Sequence, residues 1–447
     1  MKRRLTPALL AIAVALNCTQ SRRMGPRPQG PDPANMVPAR ARTIYREMGL
    51  MIDTARMPLV ASLRFLPGST PESTVAIFGL SLANRVLNFR RDENGGLVAG
   101  YHVELTLRQD TAVVRQVVRD ETVRVGTQPE TLRRDESIVF QQILTVPSGV
   151  YTVGLVVRDR SSPAYAETKV VDTVPRIETP GLSTPLLIYQ GAGRGRRGTL
   201  PQLVMNPRAA TPFDTDTARW YVEAYELPRG TRIAARVVDL DSVELWRDTL
   251  TLGEGPLATL RFGIKPGVLP PGRAEFQVQA VGGTARATAP FLVAFSDLWA
   301  VHRFDETVDV LRYFARQAAI TKLKAAPRTG RAAAWQAFYA ATDSAPRTPR
   351  HEPLERYFRR VDVANQRYAD PGAPGWKTDR GEVFITLGEP DQAFEVPGRT
   401  APGIRWEYSD LHVTLAFQDD DGWGKYHLTL QSRAEYERVL AQVRGAP

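Results

Sequence analysis

At 447 residues the chain exceeds what one hydrophobic core serves, so two to four domains are expected. Hydrophobic residues at 43% and charged residues at 24% exclude both a disordered chain and a polytopic membrane protein. The formal charge of +10 invites a polyanion partner, but the arginines are scattered and interleaved with acidic residues. A nucleic-acid stripe needs clustering, so no nucleic-acid partner is expected. Electrostatic binding of an anionic lipid or polymer is the residual reading of that charge.

The N-terminus carries the compartment signal. Lys2, Arg3 and Arg4 precede an apolar run from Leu5 to Leu16, a positive n-region and an h-region too short to span a bilayer. Cys18 follows directly, preceded by Ala15-Leu16-Asn17. The order resembles a bacterial lipoprotein signal: residues 1–17 are read as a signal peptide and Cys18 as the lipidated mature N-terminus. A periplasmic or outer-membrane lipoprotein is expected, with a secreted protein as the alternative. As the only cysteine, Cys18 can form no internal disulfide and no Cys-based metal site. Residues 18–57 are rich in Pro, Arg and small residues and read as a flexible tether.

From 58 to 176 the hydrophobic period is two. Tyr101, Val103, Leu105 and Leu107 alternate with His102, Glu104, Thr106 and Arg108, the pattern of a half-buried strand, and Gln109-Asp110 supplies a turn. Pro147-Ser148-Gly149 feeds a second run through Val153, Leu155 and Val157. The same order returns between 177 and 296, where Trp220, Val222 and Ala224 alternate and Leu269-Pro270-Pro271-Gly272 leads into Ala274, Phe276 and Val278. Two consecutive Ig-like β-sandwiches are expected. Residues 297–369 turn helical. Val308, Leu311, Phe314 and Ala318 form one run, Ala332, Trp335, Phe338 and Tyr339 a second, and Leu354, Phe358, Val361 and Tyr368 a third. The predicted fold class is therefore mainly β and multidomain, with a short helical segment and a small α+β domain over 370–447.

In that last domain Gly375-Trp376-Lys377-Thr378-Asp379-Arg380-Gly381 precedes Val383, Ile385 and Leu387, which alternate. The expectation is a tight turn, closed by Thr378 and Asp379 on neighbouring backbone, feeding a strand that Gly388-Glu389-Pro390-Asp391 ends. Trp406 and Tyr408, then Val413, Leu415 and Phe417, suggest further strands. A hairpin at Asp420-Asp421-Gly422 and a final helix from about Arg433 complete the unit.

The stretch from Gly375 to Asp391 resembles the signature of the GWxTD-domain family of exported bacterial proteins. Tyr357-Phe358-Arg359-Arg360-Val361, Asn365, Tyr368-Ala369-Asp370, Trp406-Glu407-Tyr408 and Asp419 to Gly424 extend the resemblance over about 300–447. It implies export and a multidomain chain, and it implies no activity. Trp376, Thr378, Asp379, Arg380 and Trp406 are the candidate interaction residues, either a scaffolded corner or a ledge contacting peptide or glycan with Trp376 as platform.

Other motifs lead away from catalysis. Gly193-Arg194-Gly195-Arg196-Arg197-Gly198 has the glycine spacing of a dinucleotide loop, but Pro201 and Pro207 interrupt the helix that mechanism needs, leaving a mobile basic loop. His102, His302, His351, His412 and His427 lack zinc spacing, and Asp419-Asp420-Asp421-Gly422 lacks calcium-loop spacing. No catalytic residue, cofactor or metal is expected. The leading reading is a non-enzymatic tethered module that docks an envelope protein or glycan. The alternative is an envelope hydrolase acting on glycan or peptide, with a site where the helices meet the C-terminal domain.

Overall fold

The computed structural model describes residues 22–23, 39–53, 57–93, 95–133, 138–214, 216–295, 301–314, 316–344, 348, 350–396 and 402–445. Cys18 and the expected signal peptide lie outside them. The chain forms two compact units, residues 29–367 and residues 368–447 with 1–28. Strand β1 (Arg22–Arg23) belongs to the second.

In the larger unit α1 (Ala39–Glu47) leads into β2 (Met51–Asp53), β3 (Leu59–Pro67) and β4 (Ser73–Leu82). The chain then crosses through β5 (Arg90–Arg91), β6 (Leu97–Gln109), β7 (Ala112–Val125) and the single-turn α2 (Gln128–Thr131). It closes through β8 (Ile138–Pro147), β9 (Gly149–Asp159) and β10 (Tyr165–Val174). One sheet runs β2-β3-β4-β8 and the other β10-β9-β6-β5, with β7 on the remaining edge of β6. Val103, Leu105 and Leu107 point inward, as their alternation requires, and share a core with Leu63, Phe78, Phe140, Val153 and Leu155. The β6–β7 hairpin turns at Asp110, whose φ of 49° an aspartate tolerates better than most residues.

Ten strands follow: β11 (Gly181–Leu182), β12 (Leu186–Gly193), β13 (Gln202–Met205), β14 (Ala210–Pro212), β15 (Ala218–Tyr225), β16 (Arg232–Asp239), β17 (Glu244–Thr251), β18 (Leu257–Ile264), β19 (Gly272–Ala280) and β20 (Arg286–Ala294). They make a sheet ordered β11-β15-β12-β13, with β18 on the other side of β15, and a second ordered β14-β20-β19-β16-β17. Trp220 of the first stacks on Phe276 of the second at 4.3 Å and meets Phe291 edge-on at 4.9 Å. The alternation of Trp220, Val222 and Ala224 does not leave a solvent face on β15: Tyr221, Glu223 and Tyr225 on its other face are as buried as Trp220 and Val222. That face packs on the first sandwich, where Leu66, Val75 and Ile77 cluster with Leu186, Ile188, Leu203, Met205 and Tyr221. A strand covered on both sides loses the solvent face that alternation presupposes.

The helices are α3 (Phe304–Val310), α4 (Gln317–Lys324), α5 (Arg331–Thr342) and α6 (Glu352–Arg367). The first expected helical run divides in two, because a 3₁₀ turn at Leu311–Tyr313 separates α3 from α4. No described helix is long and apolar enough to cross a membrane.

The smaller unit holds α7 (Asp379–Leu387), β21 (Gln392–Val396), β22 (Gly403–Tyr408), β23 (Val413–Gln418), β24 (His427–Leu428) and α8 (Leu430–Gly445). Its antiparallel sheet runs β1-β21-β22-β23-β24. Val383, Ile385 and Leu387 lie on a helix, not on the expected strand, and the first strand after the signature is β21.

Candidate functional site

The signature builds a corner. A 3₁₀ turn at Gly375–Lys377 runs into α7, and Thr378 is the N-cap between them. The Thr378 hydroxyl lies 2.9 Å from the carbonyls of both Tyr368 and Gly375, and it accepts the Gly381 N–H at 3.1 Å. An N-cap oxygen meets amides the first helical turn cannot satisfy internally. Gly381 is required for space: a Cβ there would lie 1.7 Å from the Gly375 carbonyl oxygen. At the other end Gly388, at φ +93°, stops α7 in a conformation glycine adopts freely.

Asp379 does not close the turn locally, as its sequence neighbours suggested. Its carboxylate accepts the Leu428 N–H of β24 at 2.7 Å and lies 2.8 Å from Arg433 of α8. Arg433 also donates to Glu382 at 3.1 Å. Arg380 turns the other way, donating to Asp370 at 2.6 Å with its guanidinium 4.4 Å from the Tyr426 ring centre. Trp406 meets Tyr368 at 5.1 Å and Phe417 at 4.8 Å.

Burial decides what this corner offers a partner. Trp376 is 4%, Thr378 6%, Arg380 5% and Trp406 3% exposed, so the indole expected as a platform is inside. The structure brings the five signature residues into one small unit, but as packing and internal hydrogen bonds. Sequence reasoning missed Asp370, Glu382 and Arg433, their charged partners, because cross-element pairing leaves no local spacing.

A different tryptophan faces solvent. Between β23 and β24, Asp419 is buried and its Oδ2 accepts the Gly424 N–H at 2.7 Å. Gly422 and Gly424 take φ of 71° and 79°, and Trp423 between them is 74% exposed, flanked by exposed Asp420 and Asp421. The hairpin turn was anticipated; the displayed indole was not.

The glycine–arginine motif leads into strand β13 and not into a helix, and its first arginine is buried. Gly193 ends β12, and the Arg194 guanidinium enters the protein, where Nε and Nη2 each lie 3.0 Å from a Glu223 carboxylate oxygen. Nη2 also donates to the Pro67 carbonyl of the first sandwich at 2.6 Å. The Tyr221 and Tyr225 hydroxyls donate to the same carboxylate. Burial, then the Glu223 charge, pushes both phenols well above their ordinary range. Arg197 pairs with Glu226 at 3.1 Å.

A second buried carboxyl lies where β14 leads toward the helices. Asp214 is pushed up to about 6, first by burial and then by the charge of Glu355, against its own and the His351 backbone amides. Its Oδ2 has no hydrogen-bond partner among the described residues. Beside it His351 is fully buried and its imidazole is held below the usual histidine range by desolvation. Nδ1 accepts the Leu354 N–H at 3.2 Å and Nε2 lies 3.0 Å from the Tyr339 carbonyl. That geometry fits a neutral ring capping α6. His427 stands opposite Gln418, and His412 occupies the turn before β23, so the strand register does not join them. Among the described residues no three His, Cys, Asp or Glu side chains are grouped to hold a metal.

Residues 277–444 match the family model of the GWxTD domain, starting inside β19 and so further upstream than the signature alone indicates. The chain carries a GWxTD domain over these residues. No curated protein matches it. Among the solved structures that align with the chain, two do so only weakly. The BSP domain of a biofilm associated protein aligns at TM-score 0.16 and 8% identity, over 52% of this chain and 51% of that one. Dimeric latent PorU from Porphyromonas gingivalis aligns at TM-score 0.21 and 9% identity, over 52% of this chain and 20% of that one. The chain thus spans about half of the first and a fifth of the second, and at such scores nothing passes from either to it.

Proposed function

We propose that this GWxTD protein is a non-enzymatic, exported envelope module, tethered through Cys18, that docks a protein or glycan partner. Export and tethering are supported by the basic n-region, the short apolar run and the cysteine that follows it. Docking rests on one contrast: Trp376 of the signature is 4% exposed, whereas Trp423 is 74% exposed on a loop fixed by a buried aspartate. A large rigid indole displayed in this way is a common anchor at binding surfaces. The signature residues then serve as the frame that holds the loop's unit together.

The reading is tested by replacing Trp423 with a photo-crosslinking residue and irradiating cells that make the full chain. A discrete adduct, absent when the crosslinker stands at buried Trp406, supports docking. No adduct at position 423 above that control removes it.

A further inference from the structure

Strand β1 lies far from β21 in sequence, yet it completes the sheet of the C-terminal unit, with Arg22 opposite Glu395 and Arg23 opposite Phe394. Without it β21 would be the bare outer strand, since β22 occupies its other side. Exposed edges of this kind accept extended segments through main-chain hydrogen bonds. Only four peptide steps separate Cys18 from Arg22. A stretch of that length reaches at most about 14 Å.

We propose that the outer edge of β21 is the docking site for the segment that follows Cys18, and that this contact holds the GWxTD unit against the membrane surface. The occupant is part of the same chain, and the short reach makes the edge strand and the anchor one continuous device. The membrane half rests on the acylation of Cys18 proposed above; the docking half does not. Among the described residues β1 pairs with two of the five β21 positions.

Two arms test this. In the full chain carrying Cys18→Ser, Arg22→Cys is combined with Glu395→Cys, and separately Arg23→Cys with Phe394→Cys. Adjacent antiparallel pairs alternate between hydrogen-bonded and closer non-hydrogen-bonded geometry, so one of the two pairs suits a disulfide. The better pair is expected to oxidise at least tenfold faster than Arg22→Cys with Gln392→Cys, which is out of register. Equal rates overturn the docking.

In the acylated chain, exposed Lys425 is replaced, Lys425→Cys, and labelled with a fluorescence donor. Vesicles of phosphatidylethanolamine and phosphatidylglycerol carry a headgroup acceptor. Arg22→Pro with Arg23→Pro removes the amides the ladder needs and is expected to lower energy transfer at least twofold. Unchanged transfer overturns the membrane half. Mass measurement of the mature N-terminus separates the cases: an unacylated Cys18 overturns the anchor and the membrane half with it, while the disulfide result still decides the docking.

Discussion

Arg194 closes on Glu223 where neither side chain meets solvent, and the same guanidinium reaches the Pro67 carbonyl of the neighbouring sandwich. Two charges withdrawn from water hold each other at hydrogen-bonding distance, with two tyrosine hydroxyls completing the carboxylate's shell. Their interaction offsets a desolvation cost that either would bear alone.

Removing one partner therefore costs more than removing both. Arg194→Ala leaves an uncompensated buried carboxylate and is expected to destabilise the larger unit by about 3–5 kcal/mol. Arg194→Met combined with Glu223→Leu is expected to cost less than the sum of its single variants. Urea midpoints of the four proteins check this; additive effects would mean that the pair does not interact.

The corner of the signature makes a steric prediction. Gly381→Ala places a methyl where the Gly375 carbonyl already stands, so α7 and the 3₁₀ turn must separate. Overpacking of this severity is expected to cost about 3 kcal/mol or more. Gly154→Ala, with nothing within 4 Å of the new Cβ, is the control and is expected to be neutral or to stabilise by about 0.5–1 kcal/mol. Thermal unfolding of both variants reads the difference.

Thr378→Ala removes the N-cap oxygen and is expected to cost about 1–2 kcal/mol, whereas Thr378→Ser keeps it and recovers most of the loss. Hydrogen exchange at Gly381, whose amide that oxygen accepts, should quicken in the first variant and stay protected in the second.

The Asp214 carboxyl gives stability a pH dependence of unusual sign. Its value in the fold is pushed up to about 6 from 3.8, so between these values the folded chain holds the proton more tightly than the unfolded one. Stability is fully present below about 4 and is lost as pH rises through about 6, by up to about 3 kcal/mol. His351, held low, acts in the opposite sense: its contribution falls as pH drops through its unfolded value of 6.5. Asp214→Asn is expected to raise stability at pH 8 and to leave only the histidine's acid loss. Denaturation curves at pH 4, 6 and 8 show whether the loss of stability on raising the pH has gone.

Much of the β architecture is legible from period two alone, as β6 shows, because one face of that strand is wet and the other dry. The same rule misreads β15, whose second face is covered by another sandwich. A clue was present, since Glu223 sits among Trp220, Tyr221, Val222, Ala224 and Tyr225, and a lone charge in an apolar run calls for a buried counter-charge. The misreading of Val383 to Leu387 has a different cause. Three alternating residues fit a strand or a short buried helix equally well, and the ends must arbitrate. Thr378 ahead of Asp379 and Glu382, with Gly388 and Pro390 behind, are helix start and stop signals. The scaffold nature of Trp376 and the display of Trp423 had no local signal, because burial is decided by elements far apart in the chain.

The Arg194 lock also sets how the larger unit carries load. Sandwiches joined by a pliant linker reorient before either feels a pull. Here a pull on Pro67 is opposed at once by a guanidinium fixed to β15, so tension passes from one sandwich to the next through a charge-assisted bond in a dry interior. Stretched from its ends, the pair is expected to resist reorientation until water reaches Glu223.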